Sequence, residues 1–583
     1  MADNISVSNQ GLTDAPTDEP QVVNPKQDQP SLIANEIPPS VLHGSGSIYL
    51  DSSITFENYA YWAKRSREIE KSMPTTSAGV ASLKNLLTGK KTAPAPAQSS
   101  QEVPVTTETT EKKSDLPPPE ETKTAHATEN WGITESEWEQ AQRAVRTATW
   151  GSIFYLLATD ILGPTNVPWA FSKMGYGPGV VLYTLFGAMS CYSGLQLWKI
   201  FIGLDSTRFP MRNYGDVAFH VYGRWARIFI NCLQCFQFLM NVTLLIEANG
   251  QGLAQMALGA NQKGYLCFIA AQAIFMAVGF ALGQIRTLQR LSFLATIALW
   301  LNVVVVVMTM VIVHQYPPNY EASFTSYQIP KGPITTSSYW PSNSTMHGKI
   351  NAMMNAVFSY GGATLFNELM AEMRRPYDFW KGFLIGEIFI YSIYLIVGIV
   401  TYSAQGQFTF NPAYQAILYG NIGIKIFYSS VLQDVFHFPP LSSRTGKWIW
   451  IILVPIYWTL AWVIAAAIPQ ISYLGSFIGA TCILQFSYTF PPILLVGYNV
   501  QNDSILSDEV FNPQTGQVQH LDSGLKRWIR GYKKKFIWNT FNLIYALAAF
   551  STAGLGIWAS VWSMNKTFKT TKLTPFTCVN PAG

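Results

Sequence analysis

The sequence predicts an all-α polytopic membrane protein with about 11 transmembrane helices. Hydrophobic residues make up 49% of the 583 residues, whereas charged residues make up only 13%. Residues 1–140 are mostly polar, so the apolar residues are concentrated further along the chain. There they form runs of about 20 residues, the length with which a helix crosses a hydrocarbon core ~30 Å thick.

Residues 1–140 form the first predicted region, a cytoplasmic tail rich in Pro, Thr, Ser and Gln. Such a composition buries too little apolar surface to offset the entropy of ordering, which predicts a mostly disordered tail. An island near residues 48–73 differs, because Phe56, Tyr59 and Trp62 alternate with charged residues in a pattern typical of a short amphipathic helix. This helix would dock on the cytoplasmic face of the membrane domain, lie on lipid, or form only transiently.

The second predicted region, residues 141–565, contains the membrane spans, and a short extracytoplasmic tail, residues 566–583, follows it. The apolar runs lie near residues 148–171, 178–203, 226–258, 265–283, 291–314, 350–371, 381–404, 420–440, 448–468, 471–497 and 536–562. Most Lys and Arg residues of the short loops fall on one side, which places the amino terminus in the cytoplasm and the carboxyl terminus outside. Glycosylation sequons at Asn343 and Asn565 both lie on the predicted outer side.

Two of the spans carry glycine-containing interruptions. The first span is broken at Gly163-Pro164, and the sixth is broken over residues 359–362. An unwound backbone at membrane depth is tolerated only where protein or a polar cavity satisfies it. Because the two spans cross the membrane in opposite directions, the breaks are antiparallel, and both lie roughly 15 to 22 Å from the start of their span. This arrangement is typical of inverted-repeat transporters, which bind a solute between such breaks, and two ordinary kinks are the alternative.

The residues around the breaks resemble a known family. The stretch from Pro168 to Gly175, PWAFSKMG, is similar to the first-span signature of the amino acid/auxin permease family, and residues 358–376 are similar to its sixth-span signature. The resemblance covers roughly residues 140–565 and is of the fungal neutral amino acid permease type. It implies a five-plus-five inverted repeat of the leucine-transporter type plus one extra helix. Thr165-Asn166 departs from the common pattern, which leaves the range of substrates open.

The two breaks are the predicted substrate site. The amino ends of half-helices suit the carboxylate of an amino acid, and unwound carbonyl groups suit its ammonium group. The residues predicted for the first role are Gly163, Pro164, Thr165 and Asn166, and those for the second are Phe358, Ser359, Tyr360, Gly361 and Gly362.

Acidic residues inside spans are candidates for ion coupling, because a charge inside the membrane is costly. Asp160 precedes the first break, and it either carries the coupling proton or bonds the freed N–H groups. Glu368 in the sixth span is open to the same two roles. Asp434 lies one turn before His437 in the eighth span, where the pair forms a relay, a gate or ordinary hydrogen bonds.

Two further acids and two cysteines have weaker expectations. Glu247 and Glu387 are expected to reach water or to pair with Lys or Arg. Cys267 and Cys578 both fall on the predicted outer side, which allows a disulfide between them without other support from the sequence.

The expected function is secondary active transport of neutral amino acids by alternating access, coupled to protons, with sodium as the alternative ion. The partners are then an amino acid, the ion and the lipid bilayer; no nucleic acid and no cofactor are expected. The sequence contains no G-x-S-x-G, H-E-x-x-H or Walker-type motif, which argues against an embedded enzyme. The expected location is the plasma membrane. An amino acid receptor that does not transport is one alternative, because a receptor and a carrier need the same pocket. A vacuolar exporter is the other, since a long cytosolic tail suits the vacuolar membrane as well as the plasma membrane.

Overall fold

A computed structural model of the chain describes residues 54–72, 146, 148–258, 266–284, 288–315, 317–318, 320–342, 344–409, 444–512, 517–570 and 574–579. Asn343, Asp434 and His437 lie outside these residues. The helices are α1 (Phe56–Ser72), α2 (Trp150–Ile161), α3 (Val167–Met174), α4 (Tyr176–Leu204), α5 (Tyr214–Tyr222), α6 (Arg224–Leu258), α7 (Phe268–Leu282), α8 (Leu288–Gln315), α9 (Tyr320–Tyr327), α10 (Met346–Ser359), α11 (Phe366–Glu372), α12 (Phe379–Gln405), α13 (Arg444–Ala467), α14 (Ile471–Ile478), α15 (Phe490–Ser504), α16 (Leu525–Lys534) and α17 (Phe536–Thr570). Two short strands, β1 (Val510–Phe511) and β2 (Val518–Gln519), pair antiparallel.

Long apolar helices make this a polytopic helical membrane protein. Among the described residues, six helices have the length and composition to cross a membrane, and two shorter apolar helices accompany them. The six are Tyr176–Leu204, Arg224–Ala254, Pro376–Phe408, Trp448–Ala467, Ile471–Ser504 and Phe536–Thr570. In the fifth of these, the π-helical segments Gly479–Ile483 and Gln485–Thr489 join α14 to α15. The predicted eighth span, near 420–440, falls outside the described residues, so the total of about 11 stays a prediction.

The first span consists of two short helices joined by a turn. Helix α2 ends at Ile161, a 310 turn covers Pro164–Asn166, and α3 begins at Val167. Pro164 suits the first position of this turn, because its missing N–H would have no partner there. The predicted interruption at Gly163-Pro164 is therefore present.

The sixth span is interrupted in the same way. Its first helix, α10, is capped by Thr345, whose hydroxyl accepts the Gly348 N–H at 3.1 Å. The helix ends at Ser359, a 310 turn covers Gly361–Leu365, and α11 begins at Phe366. This interruption matches the predicted position.

The two broken spans run antiparallel. The Ala148 N–H, before α2, donates to the Glu372 carbonyl oxygen at 3.1 Å, and the Arg374 N–H donates to the Ala148 carbonyl oxygen at 3.0 Å. At the other end α3 packs against α10, and between them α2 contacts the Gly361–Leu365 turn. The start of the first span thus lies beside the end of the sixth, as the sequence predicts.

Helix α12 packs along both halves of the first span, and it also contacts α4 and α8. A separate apolar cluster joins α6, α7 and α13 through residues that include Val242, Trp450 and Trp458. Because α12 contacts both halves of the first span as well as α4 and α8, it packs at the centre of the helices around the breaks.

The tail island forms helix α1, which is docked on the bundle. Phe56, Tyr59 and Ala63 are buried on one side of α1, and the helix contacts α4, α5 and α15. The Arg67 guanidinium donates to both the carbonyl and the carboxylate of Asp205, each at 3.1 Å. Of the three arrangements considered from the sequence, the structure has the one docked on protein.

Cys267 and Cys578 form a disulfide. It ties the start of α7 to the segment that follows α17. The Phe268 N–H also donates to the Cys578 carbonyl oxygen at 3.3 Å, so the two segments lie together at one end of the bundle.

Candidate substrate site at the two helix breaks

Tyr394 of α12 connects the two breaks. Its hydroxyl lies 2.5 Å from the Ile161 carbonyl oxygen and 2.8 Å from the Ser359 carbonyl oxygen, so its single proton is shared between two acceptors. The same hydroxyl accepts the Gly163 N–H at 3.2 Å. Backbone groups freed by both interruptions are thus satisfied by one fully buried side chain.

A second side chain supports the first break from another helix. Asn302 of α8 donates its amide to the Leu162 carbonyl oxygen at 2.9 Å. The carbonyl groups of Ile161 and Leu162 and the N–H of Gly163 are therefore all held by protein groups in this conformation. The freed backbone groups of the unwound segment are therefore hydrogen-bonded within the protein, unlike those of an unsupported kink.

The two glycines of the sixth-span break also have a packing reason. A Cβ built on Gly361 would lie 2.7 Å from Ile483 Cδ1, which is too close for ordinary contact. A Cβ on Gly362 would overlap the side chain of Ile161. The sequence predicts that these glycines expose backbone groups, and the structure adds that a side chain at either position would displace a neighbouring isoleucine.

The predicted substrate residues surround this junction. Asn166, Phe358, Ser359 and Tyr360 are each at most 6% exposed, so the junction is closed to solvent. Gly163, Pro164 and Gly362 are buried as well, and Gly361 is half-buried. For Thr165 the structure describes the backbone, in the turn before α3, but not the side chain.

Three tyrosine rings form one side of the junction. Tyr183 of α4, Tyr360 and Tyr394 are all fully buried, with ring centroids 5.5 to 6.2 Å apart. They place phenol hydroxyl groups, which can both donate and accept hydrogen bonds, beside the breaks.

A network of amide and hydroxyl groups holds α10 in place. Asn355 donates to the Ser476 hydroxyl at 2.7 Å, and Asn351 donates to the Ser563 hydroxyl at 2.8 Å. The Ser560 hydroxyl donates in turn to the Asn351 amide oxygen at 2.9 Å. Helix α10 is thus bonded to α14 and α17, which fixes the position of the sixth-span break.

Of the predicted ion-coupling residues, two lie within the described part of the chain. Asp160 is 7% exposed, lies one residue before the end of α2, and interacts electrostatically with Tyr394. Glu368 of α11 accepts a hydrogen bond from the Gln234 amide at 3.0 Å. Asp160 is therefore next to the junction, whereas Glu368 lies on the second half of the sixth span, against α6.

Within the described residues, the structure contradicts the expectation for Glu247 and Glu387. Glu247 of α6 is fully buried and Glu387 of α12 is 5% exposed, so neither reaches water. Among the described residues, neither carboxylate is hydrogen-bonded to a Lys or Arg side chain. The depth of each acid in its span could be predicted from the sequence. The direction in which its side chain points depends on how α6 and α12 are rotated in the packed bundle.

Tyr394 and Asn302 were missed at the sequence level. Tyr394 lies 15 residues into α12, a depth of roughly 22 Å at 1.5 Å per residue. This depth is close to that of the breaks, so Tyr394 could have been found by counting residues from the start of the seventh span. Asn302 had a similar signal, because it is the one amide side chain between Gln289 and Gln315 in α8.

Residues 146–410 match the family described as transmembrane amino acid transporter protein, and this segment includes both breaks and Tyr394. A "Transmembrane transporter" of Gibberella moniliformis is 22% identical over 374 residues, which cover 60% of this chain and 75% of the relative. An "N amino acid transport system protein" of Neurospora crassa is 24% identical over 396 residues, which cover 62% of this chain and 78% of the relative. The resemblance drawn from residues 168–175 and 358–376 is confirmed.

Proposed function

We propose that this chain, whose residues 146–410 match the transmembrane amino acid transporter family, is a secondary active transporter that moves neutral amino acids by alternating access. Protons are the proposed coupling ion, and the plasma membrane is the proposed location, with the amino terminus in the cytoplasm. The proposed architecture is a five-plus-five inverted repeat with one additional helix. The antiparallel pair of broken spans supports it.

The observation that carries the proposal is the junction at Tyr394. The carbonyl oxygens of Ile161 and Ser359 converge on one point, where a single phenol hydroxyl now serves both. An ammonium group has three N–H donors and a positive charge, so it is better matched to two carbonyl oxygens than a hydroxyl is. In the proposed complex the substrate ammonium takes over these carbonyls, and Tyr394 turns aside or donates to the substrate.

The substrate carboxylate then lies at the amino end of α3. Gly163, Pro164, Thr165 and Asn166 lead into this helix, whose first N–H groups and positive dipole end favour an anion. Phe358 and Tyr360 line the side-chain pocket. Their apolar rings favour a neutral side chain over a charged one.

Uptake into vesicles containing the purified protein tests the proposal. Labelled neutral amino acids are offered with a proton gradient and a sodium gradient imposed separately. Accumulation driven by the proton gradient is the expected result. Measurable binding with no accumulation under either gradient would contradict transport and would favour an amino acid receptor.

A further inference from the structure

Glu387 is a buried acid that the substrate site does not use. It lies eight residues into α12, about 12 Å from the start of the helix, and is 5% exposed. Neither of its carboxylate oxygens has a hydrogen-bond partner of good geometry among the described residues. An acid in such a place needs an explanation, because a buried anion without a partner is costly.

Among the described residues, the groups that surround Glu387 are polar but uncharged. The titratable side chains that interact with its carboxylate are Cys191 of α4, Tyr360 at the sixth-span break, Tyr394 on its own helix and Tyr488 between α14 and α15. The Ser190 hydroxyl of α4 also faces it.

Beyond these groups, the first span contributes Asp160, which interacts with Tyr394. No Lys or Arg pairs with Glu387 among the residues that the structure describes. This closed arrangement therefore suits the neutral, protonated acid. The anion requires water or a cation, and so a different arrangement of the helices.

The protonation of Glu387 is linked to the substrate site through two tyrosines. Tyr394 follows Glu387 by seven residues, about two helical turns, so both side chains lie on the same face of α12. Tyr360 follows Ser359, whose carbonyl oxygen is an acceptor for Tyr394. The Tyr360 hydroxyl packs against Gly187 of α4, where a Cβ would lie 3.1 Å from it, and it too has no hydrogen-bond partner within the described residues.

We propose that Glu387 is the residue that binds the coupling proton, which rests on the transport function proposed above. One proton from the outer solution binds a carboxylate oxygen, allows the helices to close around the substrate, and leaves to cytoplasmic water when the other side opens. No bond of the amino acid changes. Asp160 then belongs to the structure of the first break rather than to proton carriage.

Glu247 provides a matched control, because it is also buried without a hydrogen-bond partner of good geometry among the described residues. Its carboxylate faces the backbone N–H of Ile471 at the amino end of α14, not the tyrosines around the breaks. A helix amino end stabilises an anion, so Glu247 has a local electrostatic reason to be there. Replacing it removes a buried carboxyl group without touching the proposed proton site.

The test compares two kinds of transport in vesicles containing the full-length protein. Proton-driven accumulation requires coupling, whereas exchange of labelled for unlabelled amino acid at equal pH on both sides does not. Glu387→Gln is expected to support exchange but to lower proton-driven accumulation by roughly tenfold or more, within the range of coupling between two ligands. Glu387→Asp is expected to accumulate substrate with a displaced pH profile, and Glu247→Gln to accumulate it like the parent.

Several results would overturn the proposal. Accumulation by Glu387→Gln with the parent's pH profile would show that the proton binds elsewhere. Loss of coupling in Asp160→Asn alone would assign proton binding to Asp160 of the first span. Loss of exchange in both Glu387 variants would make Glu387 part of the packing or of the substrate pocket. If the parent protein neither accumulates nor exchanges amino acids, the proposed function fails instead.

Discussion

The Tyr394 hydroxyl lies 2.5 Å from the Ile161 carbonyl oxygen, although the two residues are 233 positions apart. This contact joins the seventh span to the point where the first helix of the first span ends. Since the same hydroxyl reaches Ser359, one atom holds both breaks in register.

Tyr394→Phe is expected to weaken both folding and uptake. The change leaves two carbonyl oxygens and the Gly163 N–H buried without their partner, at a cost of about 1–3 kcal/mol for such a group. Uptake rate and thermal unfolding in detergent measure the effect. Tyr391→Phe is the control, because Tyr391 bonds Thr184 at the exposed surface of the same helix. Equal losses in the two variants would show that the junction has no special role.

Gly361→Val is expected to abolish uptake while the protein still inserts into the membrane. The added side chain meets Ile483, so either the Ile483 side chain or the break itself must move. Membrane fractionation and uptake by the same cells give the two readings. Gly554→Val in α17 serves for comparison, since the space around Gly554 is open. Normal uptake by the Gly361 variant would contradict the placement of the site.

Asp205→Asn is expected to destabilise the protein by about 3–5 kcal/mol, the usual cost of removing one partner of a buried ion pair. Asp205 is fully buried and accepts hydrogen bonds from both Arg67 and Arg146 at 3.1 to 3.2 Å. Thermal unfolding of the purified protein measures the loss. The exposed residue Asp508 supplies the matched Asp→Asn control, and a shift no larger than that of the control would count against the contact.

Docking of α1 is expected to strengthen as pH falls. Burial raises the pKa of Glu70 from its ordinary 4.5 to about 7, outweighing the nearby Arg67, whose guanidinium lies 2.9 Å away. The docked state therefore binds more protons than the released one. The contribution of Glu70 to docking is fully present below its ordinary pKa and is lost as pH rises through about 7.

Hydrogen exchange of α1 at pH 6 and pH 8, corrected for intrinsic rates, measures this effect. Protection is expected to be greater at pH 6, and Glu70→Gln is expected to remove much of the difference. Glu68→Gln changes an exposed acid two positions earlier and controls for the loss of a charge. Greater protection at pH 8 would reverse the sign and contradict the assignment.

The breaks were predictable because they depend on features that the sequence carries locally. Gly163-Pro164 and Gly361-Gly362 interrupt apolar runs, and the number of spans between them sets their relative direction. Glu387 could not be placed in this way. Whether an acid at a given depth faces lipid, water or a neighbouring helix depends on the rotation of α12, which is set by side chains from α2, α4 and α8.

The disulfide between Cys267 and Cys578 shows the same difference between local and distant information. The sequence placed both cysteines on one side, yet a separation of 311 residues gives no indication that they meet. Their contact follows from the packing of α7 and α17 with their neighbours. Which cysteines pair across so long a stretch of sequence is therefore determined by the folded bundle.

Asp205 has a mechanical consequence for the end of the bundle where the tail helix is docked. It binds Arg67 of the tail and Arg146 before the first span, and two residues later Ala148 is paired with the end of the sixth span. A conformer in which α2 swings outward at this end must break the Ala148 pairing, and Arg146 must leave Asp205 or draw the tail helix along. The time for which α1 stays docked on the bundle therefore depends on how often and how long the Ala148 end of the bundle opens.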